Sequence, residues 1–209
     1  MSPRPSLAAV RPGGAFGPLV PLPAGGPAGS NAVLGTLIFL ATEAMLFAGL
    51  VSAFLVLRAG AGPWPPAGQP RFPAGMTALN TLVLLASGWT VARARAASRR
   101  GLASEVERWL ALTAVLGALF LAVQGIEWVR LVRHGLRLEG AVYGGLFSTL
   151  IGVHGLHVLG GMAAVLAAWL AVWRGRLVDR LRPVVTAVSL YWSFVVGVWP
   201  ILYVLVYLW

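Results

Sequence analysis

The sequence predicts an all-α integral membrane protein, a bundle of five transmembrane helices with its N-terminus cytoplasmic and its C-terminus outside. Three observations carry that prediction. Of the 209 residues, 58% are hydrophobic and only 11% are charged, too little charge to cover a soluble domain of this size. The apolar residues fall into runs long enough to cross a hydrocarbon core of roughly 30 Å, which takes about 20 helical residues. The charged residues stand between those runs and divide unequally between the two sides.

Residues 1–31 are rich in Pro, Gly and Ala, with Arg4 and Arg11 as their charges. Prolines recur too often for a continuous helix, and no unbroken apolar stretch leads to a cleavage site. The expectation is a disordered cytoplasmic tail rather than a signal peptide. Residues 32–209 form the membrane domain. Its first span is predicted over 33–57, ending at Arg58, and is followed by a Pro/Gly-rich loop in which Trp64 and Phe72 suit the interface. The second covers 77–91, and its helix can continue into the arginines behind it. The third covers 109–132, after Ser104, Glu105 and Glu107, which suit a helix N-terminus. The fourth covers 143–173, longer than the core requires, so it tilts or projects. The fifth covers 183–209, with Pro183 acceptable in a first turn and Pro200 expected to kink the helix. Trp109, Trp128, Trp173 and Trp209 sit at span ends, as interfacial anchors do.

Orientation follows from arginine, since lysine is absent and the net charge is +10. With five spans, the tail, the second loop and the fourth loop share one side and hold eleven arginines, against five opposite. The richer side should be cytoplasmic. Arginines just beyond apolar runs fit orientation and anionic lipid rather than nucleic acid. Arg93, Arg95, Arg99 and Arg100 read as a cytoplasmic anchor. Arg174 and Arg176, behind the fourth span, could hold lipid headgroups or serve as ordinary orientation signals. Without cysteine there is neither a disulfide framework nor a thiolate ligand. No internal repeat is evident, which disfavours common transporter architectures.

Ionisable groups in hydrocarbon are expensive, so each is a functional candidate. Glu43 lies in the middle of the first span, and His154 and His157 lie one turn apart in the middle of the fourth. At about 1.5 Å of rise per residue, Glu43 and His154 share a depth near the midplane. Glu43 is therefore expected to pair with one of the two histidines. The bland reading is an interhelical hydrogen bond that glues the bundle. The sharper one is a proton or gating role for Glu43. Two histidines and one carboxylate are too few for a metal site, and His134 reads as surface. Gln124 and Glu127 form a second polar face, with Arg130 a further i, i+3 step along, so an intrahelical ion pair is the simple expectation there. The glycines of the fourth helix, Gly152 and Gly155 among them, allow another backbone to approach closely.

Five segments in order resemble the haem-copper oxidase (cytochrome c oxidase) subunit III family in its short five-helix form. They are FLATEAMLFAGLVSAFLVLR from Phe39, LNTLVLLASGWTVARA from Leu79, ALFLAVQGIEWVRL from Ala118, GVHGLHVLGG from Gly152 and YWSFVVGVWPILYVLVYLW from Tyr191. The resemblance maps the family's intramembrane glutamate to Glu43. It also maps polar positions to Asn80, Thr81, Ser87 and Thr90, and it covers Gln124, Glu127 and Trp128. Larger members have seven spans, so their lipid-holding cleft must be absent here or closed by another subunit. Where the family's last helix carries a histidine and an aspartate, this chain has Ser193 and Val196, and Pro200 after Trp199 is unusual. The resemblance implies a non-catalytic accessory subunit of a respiratory oxidase in the bacterial inner (plasma) membrane. Such a subunit packs on subunit I beside subunit II, holds membrane lipids, and supports proton uptake and active-site stability. It has no cofactor of its own, haem and copper being in the partners. The departures leave an accessory protein of nitric oxide reductases as the alternative, ahead of an autonomous transporter.

Overall fold

The computed structural model describes residues 28–60, 74–133, 142–175 and 181–208. They form α1 (Ala28–Gly60), α2 (Ala74–Arg99), α3 (Ala103–Arg133), α4 (Val142–Trp173) and α5 (Leu181–Tyr203), the last running into a π-helical turn at Val204–Leu208. All five are long and apolar enough to cross a membrane. The tail up to residue 27, the loops holding Trp64, Phe72, His134 and Arg176, and Trp209 lie outside the described residues.

The helices are longer than the spans predicted from hydropathy, because a helix need not stop where the hydrocarbon does. α1 starts at Ala28, inside the stretch read as tail. Pro27 directly precedes it, and proline is tolerated at a helix start. α2 carries on through its arginines to Arg99. It ends in a Schellman turn, with Leu102 N–H donating to the Ala97 carbonyl at 3.2 Å and Gly101 N–H to that of Ser98 at 3.1 Å. Gly101 has φ +73°, a left-handed conformation that suits glycine. α3 starts two residues later, with Glu105 in its first turn. Pro200 lies inside α5, and the helix widens to a π turn one turn beyond it. Arg58 of α1 reaches this widened turn, donating from Nη1 to the Leu205 carbonyl at 3.2 Å.

α2, α3, α4 and α5 form a closed ring, each packed on the next, and α1 lies outside it against α5 and one edge of α4. Apolar side chains alone cannot drive this assembly, since lipid is as apolar as leucine. Close approach and interhelical hydrogen bonds must contribute. α2 shows both. Its inner face carries buried Thr77, Asn80, Thr81, Ser87, Thr90 and Ser98, while Met76, Leu79, Leu82, Leu85 and Trp89 face outward. The fully buried indole of Trp192, on α5, donates to Ser87 Oγ at 3.0 Å. The same ring lies against glycines on the other two members of the ring. A Cβ at Gly117 of α3 would come within 2.8 Å of its Cη2, and one at Gly161 of α4 within 2.9 Å of its Cε3.

Gly117→Ala should therefore destabilise the bundle by about 1–3 kcal/mol, since a rigid indole cannot move aside for the methyl. At Gly125 an added Cβ meets nothing within 4 Å, and Gly125→Ala should change stability by less than about 1 kcal/mol, in the favourable direction. Thermal unfolding in mild detergent separates the two.

Candidate functional site: a half-buried Glu–His pair and the polar seam behind it

Glu43 of α1 and His157 of α4 meet between their helices, with His157 Nε2 2.7 Å from Glu43 Oε2. The other ring nitrogen, Nδ1, lies 2.8 Å from the Val153 carbonyl one turn back on α4. A carbonyl oxygen only accepts, so Nδ1 carries a proton and donates it there. The tautomer is thereby set, and Nε2 and the carboxyl share a single further proton between them. Tyr191 of α5 closes the site, its hydroxyl donating to the His157 carbonyl at 3.2 Å. Phe47 stands edge-on to the His157 ring at 5.1 Å, and Phe39 stacks on Tyr191 at 6.0 Å. A polar pair from two helices is thus walled by aromatic side chains from α1 and α5.

His154, one turn before His157, turns away from Glu43. It is fully buried, stacked on Trp199 at 5.0 Å between centroids, and among the described residues neither ring nitrogen has a hydrogen-bond partner. Trp199 Nε1 in turn donates to Thr81 Oγ1 at 2.9 Å. Beyond it runs a seam between α2, α3 and α5. Asn80 donates to the Phe120 carbonyl at 3.1 Å, and Gln124 donates to the Tyr207 hydroxyl at 3.1 Å. Glu127 accepts from Thr77 Oγ1 at 2.9 Å. Arg130, one turn along the same helix, remains an electrostatic neighbour of Glu127, while the hydrogen bond goes to another helix. The carboxyl turns inward to α2 and is buried, whereas Arg130 faces out. A carboxyl at this depth gains more from a hydroxyl inside the bundle than from an exposed cation one turn away.

Of the five predicted residues, Glu43 and His157 are brought together, whereas Gln124, Glu127 and His154 each have other neighbours: Tyr207, Thr77 and Trp199. Among the described residues, no group of three or more His, Asp or Glu side chains is arranged to hold a metal ion. Arg174 is exposed in the turn behind α4, and Arg176 lies outside the described residues. Sequence reasoning missed Thr77, Tyr191, Tyr207 and the pairs that Trp192 and Trp199 make with Ser87 and Thr81. The spacing of Thr77, Asn80, Thr81, Ser87 and Thr90 on one helical face was a signal that could have found the α2 side. Ser193 is exposed. Val196 is buried on α5, with Cγ1 3.0 Å from where a Cβ of Gly88 would stand, so α2 and α5 meet there dry and close.

These features define a multi-pass membrane protein whose polar groups join helix to helix. The model of the family cytochrome c oxidase subunit III matches residues 29–209. The chain is 33% identical to cytochrome c oxidase subunit 3 of Synechocystis sp. over 84% of its own length and 75% of the relative's. It is 34% identical to that of Corynebacterium diphtheriae, over 83% of this chain and 86% of the other. With that of Thermostichus vulcanus the identity is 33%, over 84% and 86%. The chain belongs to the cytochrome c oxidase subunit III family. It is an accessory subunit of a haem-copper oxidase, and membership implies a complex with other oxidase subunits.

Replacing Glu43 by Leu leaves His157 Nε2 without its partner and should lower stability by about 1–2 kcal/mol. Glu43→Gln, whose amide N–H can donate to Nε2, should lose less than half of that. Detergent melting curves of the two variants, compared with wild type, check the order.

Proposed function

We propose that this subunit packs on the haem- and copper-bearing subunit I of its oxidase, beside subunit II, in the bacterial inner membrane. It contributes no redox centre. Its N-terminus is cytoplasmic, its C-terminus lies outside, and the residues ahead of α1 lie on the cytoplasmic side. Eleven arginines against five support that orientation. Arg174 and Arg176 then lie on the cytoplasmic side, where they contact lipid headgroups.

The observation that carries the reading is the Glu43–His157 pair. Each group satisfies the other across the α1–α4 contact, at 2.7 Å, as a packing element does. An ionisable pair near the middle of two spans also supports a part for Glu43 in the complex's proton uptake. His154, Gln124 and Glu127 complete the buried polar core and keep the four-helix ring rigid against the catalytic subunit.

A mild-detergent pull-down of the tagged chain should bring down a large catalytic subunit with a visible haem spectrum. A colourless protein purified alone, or a nitric oxide reductase as the partner, would overturn the assignment of subunits I and II. In the intact complex, Glu43→Gln should lower turnover or proton pumping severalfold. Unchanged turnover and pumping would leave the pair a packing element only.

A further inference from the structure

Beside the α2–α3 turn, the outer surface of the bundle has an open cavity of about 340 Å³, lined by Arg93, Glu105, Arg108, Trp109 and Leu112. Helical register builds it. Trp89 and Arg93 stand one turn apart on α2, and the four α3 residues follow at i, i+3, i+4 and i+7 on one face. The Arg93 guanidinium carbon lies 5.7 Å from the centre of the Trp89 ring and 5.3 Å from that of Trp109. The two indoles meet edge to face at 5.3 Å. Held this way by cation–π attraction, the guanidinium keeps its N–H edge free for an oxyanion. Among the described residues, neither Arg93 nor Arg108 has a carboxylate within 4.0 Å. Glu105 borders the same cavity and is only partly exposed.

Depth and surroundings narrow the ligand. Arg93 and Trp109 each lie six residues from the end of their helix at the turn, or about 9 Å at 1.5 Å per residue. That is the headgroup level for helices that cross the bilayer. Towards the membrane centre the wall continues as exposed Leu85, Leu112 and Val115. A free anion would leave this apolar wall uncovered and, by occupying both arginines, would leave Glu105 without a cation of its own.

The geometry points to a binding site for one phospholipid with a primary-amine headgroup. Its phosphate diester sits on Arg93 and Arg108, its ammonium on Glu105, and its acyl chains lie along Leu85, Leu112 and Val115. Each charged group of the cavity then has a partner of opposite sign. The site is separate from Arg174 and rests on none of the roles assigned to Glu43.

The test is native mass spectrometry of the purified detergent-solubilised complex, titrated with phosphatidylethanolamine, phosphatidylglycerol, phosphatidylcholine and inorganic phosphate. The expected result is one retained phosphatidylethanolamine, bound about tenfold more tightly than either other lipid and not displaced by millimolar phosphate. Arg93→Gln with Arg108→Gln should abolish that retention. Glu105→Gln should erase the preference for the amine headgroup while leaving lipid bound. Arg93 and Arg108 are exposed and Glu105 is partly so, and melting curves verify that the variants fold. Quenching of tryptophan fluorescence by brominated phosphatidylethanolamine, reduced in Trp89→Phe with Trp109→Phe, reads the same site without changing a charge. Equal binding of all three lipids, displacement by phosphate, or a preference untouched by Glu105→Gln would each overturn the proposal.

Discussion

The indole of Trp192, on α5, touches all three of the other helices of the ring, α2, α3 and α4. Its N–H is satisfied by Ser87 of α2, and its ring lies against glycines of α3 and α4. In a membrane this combination replaces the hydrophobic drive that assembles soluble bundles. A large flat side chain supplies dispersion contacts, glycines let the helices close on it, and a hydroxyl removes the cost of burying its donor. Trp199, two turns further along α5, repeats the arrangement with Thr81 and adds the stacked His154. The remaining contacts of the ring are arranged around these two rings. Val196, between them on the same helix, meets Gly88 directly, so α2 and α5 approach without an intervening polar group.

α1 is attached by different means. It lies outside the ring, most of its surface is exposed, and its apolar residues are spread around its circumference rather than confined to one side. Specific polar contacts therefore determine its position and rotation. Glu43 locks it to His157 near its middle, and Arg58 ties its far end to the carbonyl of Leu205 where α5 widens. Burying Phe47 and Phe54 beside these contacts completes the attachment. An appended helix with so much apolar surface is suited to meet lipid or a further subunit, as expected for an accessory member of a larger membrane complex.

Much of this was legible in the residues. The five helices followed from run length, since the bilayer imposes one thickness on every span and allows no other local structure for a chain that must satisfy its own backbone. The depth of Glu43 and of the two histidines followed from the same rise per residue. Family resemblance rested on motifs in order, and the comparisons agree with it. The ends of the helices were less legible. Hydropathy reports where hydrocarbon begins, whereas α2 stops at Arg99 because Gly101 adopts a left-handed turn.

What the sequence by itself determined, then, is the number of spans, their order, and which ionisable groups lie within the membrane, because each of these depends on local composition and a fixed helical rise. What only the tertiary structure decided is which of those groups meet. His154 and His157 are nearly indistinguishable in sequence, yet one faces Glu43 and the other Trp199, a choice made by the rotation of α4 between α1 and α5. Glu127 had a nearby arginine on its own helix and still hydrogen-bonds to Thr77 on another. Helix rotation is set by the sum of contacts along a whole interface. No single residue encodes it, so partners across helices appear only when all the helices are in place.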